Sequence, residues 1–131
     1  MTVEQLRKND MMAHLMDALE AGKDIGHYGR LVFVMVAHHF LDDHQLVQWL
    51  TKDKSFDEPQ ARAMVLNVRS KHYTPPRREK ILEFQSHQDF PICPSADPDS
   101  CNVYKNLKFP PEVYEHIEEY YEQKVEAQAN P

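Results

Sequence analysis

One stretch of this chain decides its fold: Gly22-Lys23-Asp24-Ile25-Gly26-His27-Tyr28-Gly29-Arg30, followed at once by the apolar run Leu31-Val32-Phe33-Val34-Met35-Val36-Ala37. The first part contains all three glycines of the chain. Glycine is favoured where the backbone takes a positive φ or approaches another group closely, and elsewhere it costs about 0.5 to 1 kcal/mol relative to alanine. The stretch therefore predicts a sharp corner that presents His27, Tyr28 and Arg30 at the mouth of a buried element.

The apolar run is interpreted as a central buried helix. Its three valines would suit a strand, but no turn residue lies between Gly29 and Leu41. A segment from Tyr28 to Leu41 is long for a strand and ordinary for a helix. On the N-terminal side, a capping box of Thr2 and Gln5 and a four-residue apolar repeat up to Leu19 predict one helix of about five turns.

Three more helices are predicted after the central one. Each has a residue that can cap its first turn and apolar residues behind the cap. The caps and apolar segments are Asp42 or Asp43 before Leu46–Leu50, Ser55 with Glu58 and Pro59 before Ala61–Val68, and Thr74 before Pro75, Pro76, Ile81 and Leu82.

The segment from Gln88 to Pro111 has five prolines and many apolar residues. Proline forbids regular helix, so we expect an ordered loop held by apolar side chains. Those side chains are Phe90, Ile92, Val103, Tyr104, Leu107 and Phe109. An acidic last helix is predicted over 111–126. The fold class is therefore all-α, a single domain over 1–131 with about six helices and a long proline-rich loop.

Composition excludes several classes of protein. The chain has 131 residues, with 41% hydrophobic and 27% charged residues, as one globular domain requires. Two cysteines, no basic-then-apolar leader and no apolar stretch of about 18 residues favour a cytoplasmic, reduced protein without a membrane span. The net charge of -6 disfavours nucleic-acid binding by bulk electrostatics.

The charge is nevertheless segregated along the sequence. The basic strip, defined as residues 62–80, has six lysines and arginines and one acid, whereas residues 112–126 have six glutamates and one lysine. Two solvated helix faces would explain this pattern. This is the usual explanation of such segregation, and a local anion-binding strip beside an acidic tail is the alternative.

Two groups of residues have metal-ligating chemistry. Cys93 and Cys101 could bind a metal with His72 or His87, remain inert buried thiols, or form a disulfide. The second group is His38, His39, Asp42, Asp43 and His44. It could serve a metal-dependent hydrolase, but we favour a charged helix end in which the aspartates cap the next helix.

Three tyrosines, Tyr28, Tyr73 and Tyr104, accompany the corner, the basic strip and the proline-rich loop. Tyrosines beside arginines can stack on bases or sugars. Most tyrosines instead pack with the hydroxyl at the surface, so these three indicate a binding site only where charged residues lie beside them.

Five features stand in a fixed order along the chain: the glycine corner, the apolar helix after it, the helix over Phe56–Arg69, Tyr73-Thr74-Pro75-Pro76, and Cys93-Pro94 with Asp97-Pro98-Asp99. Their order and spacing resemble the C-terminal domain of the large subunit of archaeal and eukaryotic DNA primase. The resemblance covers about residues 10–107.

That family is a helical domain built around a four-cysteine iron–sulfur cluster, and it helps primase to grip template DNA and the 5′ end of the primer. The resemblance implies that His27 and Arg30 face a phosphate-rich ligand. It also places the first cluster cysteine near Met11–Met12 and the second at Arg77–Arg78, while Cys93–Cys101 would match the last two. We therefore expect a version that folds without an iron–sulfur cluster or zinc.

Together these observations predict a non-catalytic module that binds nucleic acid or a nucleotide phosphate. The expected partners are DNA or RNA, with a polymerase or primase subunit as a further candidate. The alternatives are the hydrolase described above and a protein-interaction domain that uses the acidic last helix. The residues expected to contact phosphate and bases are His27, Tyr28, Arg30, Arg69, Lys71, Tyr73, Arg77 and Arg78.

Overall fold

The computed structural model describes residues 3–115, and all regular secondary structure in this range is helical. The all-α prediction is confirmed. The helices are α1 (Val3–Leu6), α2 (Asp10–Glu20), α3 (Gly26–Ala37), α4 (Asp43–Leu50), α5 (Glu58–Lys71), α6 (Arg78–Gln85) and α7 (Pro111–Glu115), with a 3₁₀ turn at Pro98–Cys101. Within residues 3–115, no helix has the length and apolar character needed to cross a membrane.

Helix α3 lies at the centre and packs against α2, α4, α5 and α6. Its residues Val32–Ala37 are all buried, so the prediction of a central buried helix is confirmed. The helix ends at Ala37 rather than Leu41. The N–H groups of Phe40 and Leu41 both donate to the Ala37 carbonyl, and this turn leads into the extended Asp42 that caps α4.

The prediction of one long N-terminal helix is wrong, because Asn9 separates α1 from α2. Asn9 is extended, and its Oδ1 accepts from the Met12 N–H at 3.2 Å. Its Nδ2 donates to the carbonyls of Asn102 and Lys105 at 3.0 and 2.8 Å. The helix therefore breaks where a distant part of the chain anchors it. Thr2, the expected cap, lies outside the described residues.

The cap of α4 is predicted correctly, and the cap of α5 is not. Asp42 begins α4, and its side chain forms a capping box with the glutamine three residues on. Asp57 makes the same arrangement at α5, where Ser55 with Glu58 was predicted. Ser55 instead donates its N–H and hydroxyl to Oδ1 of the buried Asp53, at 2.9 and 2.6 Å. A hydrogen bond to a residue two positions earlier thus uses the side chain that the sequence offers as a cap.

Helix α6 begins at Arg78, four residues after the predicted cap Thr74. Pro75 and Pro76 are buried in the connection rather than placed in the first turn. The hydroxyl of Tyr104 donates to the Pro75 carbonyl at 2.7 Å and holds this connection against the proline-rich loop.

The proline-rich loop is ordered by apolar contacts, as predicted. Five of the six predicted side chains are buried, namely Ile92, Val103, Tyr104, Leu107 and Phe109, whereas Phe90 is only partly buried. Helix α7 begins at the predicted Pro111. The remainder of the predicted acidic helix, and with it the alternative of a partner docking on that helix, lies outside the described residues.

Candidate functional site

The glycine corner forms as predicted. Gly22 and Gly26 have φ of +74° and +79°, and Gly29 lies buried in the first turn of α3, where a Cβ would sit 3.3 Å from Ile25. Positive φ is accessible to glycine at little cost, which explains the first two positions. The corner turns the chain from α2 into α3 and sets the positions of His27 and Tyr28.

Arg30 does not face a ligand, and this part of the predicted site is wrong. Its Nη1 donates to Oδ2 of Asp53 at 2.9 Å and to Oδ1 of Asp24 at 3.1 Å. The guanidinium lies 4.4 Å from the ring centroid of Phe56. The Asp53 side chain is fully buried and that of Arg30 is 12% exposed. A buried carboxylate needs a paired cation, so Arg30 is held in the interior.

The first N–H groups of α3 are also occupied. Oε1 of Gln88 accepts from the N–H groups of Tyr28 and Gly29 at 2.9 and 3.3 Å. Its Nε2 donates to the carbonyls of Ile25 and Phe90 at 2.9 and 3.0 Å. A side-chain amide therefore takes the place that an anion could occupy at a helix N-terminus. The sequence gives no signal of this contact, because Gln88 lies about sixty residues away.

Two further arginines of the predicted site, Arg69 and Arg78, have structural roles. Arg69 donates to the carbonyls of His38 and Leu41 at 3.3 and 3.1 Å and pairs with Asp43, so it satisfies acceptors at the end of α3. Arg78 donates to Asp99 at 3.2 Å and ties α6 to the 3₁₀ turn. Neither guanidinium lines the groove described next.

A groove of about 830 Å³, here called the α6 groove, lies between α3, α6 and the connection before α6. Its apolar wall includes Leu31, Met35 and Phe84, and the rings of Tyr73 and Tyr104 also line it. Pockets that bind small molecules commonly enclose about 300 to 1,000 Å³ and are mostly apolar with a few polar groups. The groove has a suitable volume and lining for one flat organic group.

The rim of the α6 groove carries both signs of charge. Arg77 pairs with Glu79 at 3.4 Å, and Lys80 pairs with Glu83 at 3.2 Å. The Nζ of Lys80 also lies 5.1 Å from the ring centroid of Phe84. Because acids accompany both cations, the groove has no large positive field of its own.

Tyr28 of the corner and Lys80 of the basic strip both contact the ring of Phe84. The Tyr28 ring stacks on Phe84 with centroids 5.0 Å apart, and the His27 ring contacts Tyr28 edge-on at 5.2 Å. On the other side, Nζ of Lys71 lies 5.9 Å from the centroid of Tyr73, which lines the groove. Of the eight predicted residues, Tyr73 and Arg77 line the groove. Tyr28 and Lys71 contact the lining rings of Phe84 and Tyr73, and His27 contacts only Tyr28. Sequence reasoning missed Phe84, whose aromatic ring was the available signal.

A second groove of about 620 Å³, here called the His38 groove, lies beside the first and shares Tyr73 and Thr74 with it. It is lined by His38, His39 and Arg69 among others. Burial is the main cause that lowers the pKa of both histidines, and it takes the pKa of His39 to about 4. The two imidazoles are therefore neutral at pH 7.

This lowered pKa predicts loss of stability in mild acid. An unfolded histidine titrates near pH 6.5, so between pH 7 and pH 5 the unfolded chain binds protons that folded His39 does not. We expect the urea midpoint to fall over this range, and His39→Gln to reduce that fall. His44→Gln, at an exposed position on α4, serves as the control. An unchanged pH dependence in His39→Gln would contradict the assignment.

The residues proposed for a hydrolase do not converge on a metal. Asp42 caps α4, Asp43 pairs with Arg69, and the His38 ring bonds the Val34 carbonyl at 3.0 Å. In the described range 3–115, no group of three or more His, Cys, Asp or Glu side chains is arranged to hold a metal ion. The interpretation as a helix end is confirmed.

Cys93 and Cys101 form a disulfide, one of the three arrangements that the sequence left open. The other two, a metal site at Cys93 and Cys101 and a pair of inert buried thiols, are wrong, and so is the expectation that these cysteines are reduced. The positions that the resemblance assigns to a cluster do not fit one. Met11–Met12 are fully buried thioethers of the core, and Arg77–Arg78 are ion-paired guanidinium groups. Iron–sulfur clusters are held by thiolates, and a disulfide supplies none.

Comparisons of this chain with protein-family models, with curated proteins and with solved structures found no match.

Proposed function

We propose that this protein is a binding module that takes a nucleotide or a nucleic-acid end in the α6 groove. The observation that carries the proposal is the lining of the groove: the connection Tyr73–Arg77 forms one side of it, and Tyr28 of the corner stacks on the lining ring of Phe84. A groove with aromatic walls and cations at its rim suits a base and its phosphate, because every base has a face for stacking.

The ligand is expected to stack on rings and to place its phosphate near Arg77 and Lys80. Base–aromatic stacking contributes about 1 to 3 kcal/mol per base, which makes the rings the main source of affinity. The guanidinium of Arg77 can bond two phosphate oxygens while Glu79 lies to one side. Arg30, Arg69 and Arg78 are held by contacts within the fold and take no part in the proposed binding.

The resemblance to the primase large-subunit domain supports the same class of ligand. Its implied histidine contact is retained through His27, and its implied arginine contact moves from Arg30 to Arg77. DNA or RNA with a 5′ phosphate is therefore the first ligand to test.

Replacement of Arg77 should weaken binding of a labelled single-stranded oligonucleotide that carries a 5′ phosphate. We expect Arg77→Ala to lower the affinity about tenfold at low salt and to reduce the slope of log K against log salt by about one. Fluorescence anisotropy at several salt concentrations measures both. A 5′-hydroxyl oligonucleotide should bind the unmodified protein more weakly than the phosphorylated one.

Arg62→Ala is the matched control. Arg62 has the same charge and pairs with Glu58 at 3.2 Å on exposed α5, much as Arg77 pairs with Glu79, but it does not line the α6 groove. Its replacement should leave affinity unchanged. Equal losses in the two variants, or no binding by the unmodified protein at low salt, would overturn the proposal.

A further inference from the structure

We propose that the oxidation state of the Cys93–Cys101 pair controls the shape of the α6 groove and hence its affinity for ligand. The statement about affinity rests on the function proposed above. The statement about shape rests on contacts within the protein. The disulfide closes a nine-residue loop, 93–101. This loop contacts both the start and the end of α6.

The first contact is at the end of α6. The Cys93 N–H donates to Oε1 of Gln85, the last residue of α6, at 2.7 Å. Gln85 directly follows Phe84, which lines the groove and stacks with the Tyr28 ring. A change in the position of Cys93 would therefore displace the end of α6, where Phe84 forms part of the groove wall.

The second contact is at the start of α6. Asp99, two residues before Cys101, accepts from Arg78 at 3.2 Å and from Lys105 at 3.0 Å. These charged hydrogen bonds hold the 3₁₀ turn between the first residue of α6 and the chain that leaves the loop. Hydrogen bonds between charged groups are stronger than neutral ones, so the turn is tied firmly to α6 while the loop stays closed.

The chain that follows the loop leads to the opposite wall of the groove. Tyr104 lies three residues after Cys101, and its N–H donates to Oδ1 of Asn102 at 3.0 Å. Its ring lines the groove, and its hydroxyl donates to the Pro75 carbonyl at 2.7 Å. Loop 93–101 thus contacts the α6 wall of the groove directly, and it is linked to the wall at Tyr104 and Pro75 through the chain that follows Cys101.

The chemical step is thiol–disulfide exchange with a dithiol reductant. One thiolate of the reductant attacks a sulfur of the pair, the S–S bond breaks, and a mixed disulfide forms as the other cysteine leaves as thiolate. The second thiolate of the reductant then releases the remaining cysteine and becomes a cyclic disulfide. Two electrons and two protons pass to Cys93 and Cys101, and the loop is opened.

The experiment compares oxidised and dithiothreitol-treated protein with the phosphorylated oligonucleotide as probe. We expect reduction to lower affinity about three- to tenfold, because the freed loop must be ordered again when ligand binds. The Cys93→Ser/Cys101→Ser variant should bind like the reduced protein and should not respond to dithiothreitol. Circular dichroism of each sample establishes that the helices remain folded.

A ligand-independent measurement separates this inference from the proposed function. On reduction, amide hydrogen exchange should become faster in α6 and at Val103–Tyr104. The exchange rates of α4 should stay unchanged, because none of the hydrogen bonds described above joins α4 to the loop. If the oligonucleotide binds neither form, the proposed function fails and hydrogen exchange alone decides on the redox coupling. Equal exchange in the two states, or equal affinity where binding is measured, would overturn the inference.

Discussion

Asp53→Ala should lower the free energy of unfolding by about 3 to 5 kcal/mol, because it leaves the guanidinium of Arg30 without its buried partner. Both oxygens of Asp53 are in use. Oδ2 accepts from Arg30 and from the Ile25 N–H, at 2.9 and 3.2 Å, and Oδ1 accepts twice from Ser55. Urea denaturation followed by circular dichroism gives the difference in free energy.

Asp24→Ala is the matched control, because Asp24 pairs with the same Nη1 of Arg30 but is 64% exposed. An exposed ion pair contributes at most about 1 kcal/mol, and water replaces much of what is lost. Asp24 also accepts from the Gly26 N–H at 2.8 Å, so a total loss of about 1 kcal/mol is expected. Similar losses in the two variants would show that burial of the Asp53 pair does not matter.

The same pair makes a prediction about acid. Burial raises the pKa of Asp53, but the hydrogen bonds from Ser55, Arg30 and Ile25 outweigh it, and the pKa lies below its ordinary value. A lowered folded pKa gives stability that is complete above the unfolded pKa of about 3.9 and is lost as the pH falls through the folded value. The stability gap between the protein and Asp53→Ala should therefore be constant from pH 7 to about 5 and shrink below about 4.

Gly26→Ala should be the second severe substitution, with a loss of about 3 kcal/mol. Alanine at a φ of +79° is strained, and its Cβ would lie 2.4 Å from Oε1 of Gln88. Gln88 cannot move without breaking its bonds to the start of α3, and each unsatisfied buried group costs about 1 to 3 kcal/mol. Thermal and urea unfolding measure the loss.

Gly22→Ala separates the two causes. Its φ of +74° carries the same strain, but its Cβ would meet only the far end of the Lys54 side chain, at 3.2 Å. We expect a loss of about 1 to 2 kcal/mol, from backbone strain alone. The Gly26→Ala/Gln88→Ala double variant should be little worse than Gly26→Ala, because neighbouring sites that share one contact are not additive. Full additivity would contradict the proposed role of Gln88.

Local pattern was a sound guide wherever a helix and its cap were close in sequence. The apolar run after Arg30 predicted the central helix, and Asp42 predicted the start of α4. It failed where another contact competed for the same residue. Ser55 bonds Asp53 instead of capping α5, and Asn9 breaks the first helix because it also bonds carbonyls of the proline-rich loop.

The candidate site shows the same division. The sequence predicted functional residues in the corner and in the basic strip, and of these Tyr73, Arg77 and Lys80 line the α6 groove, while Tyr28 stacks on its lining residue Phe84. It could not tell which arginines face outward. Arg30 and Arg77 have the same side chain, and only the placement of a buried carboxylate beside Arg30 and of an open groove beside Arg77 distinguishes them.

By itself, then, the sequence determined the helical class, the central helix and the sharp corner before it, because apolar periodicity and glycine act on neighbouring residues. Tertiary structure alone decided which charged groups are paired within the fold, that Gln88 bonds the first N–H groups of α3, and that Cys93 and Cys101 form a disulfide. The pairing of Arg30 with Asp53 and the contacts of Gln88 join residues far apart in the chain, which no local preference encodes. The two cysteines lie only eight positions apart, but the sequence left a disulfide open beside two alternatives.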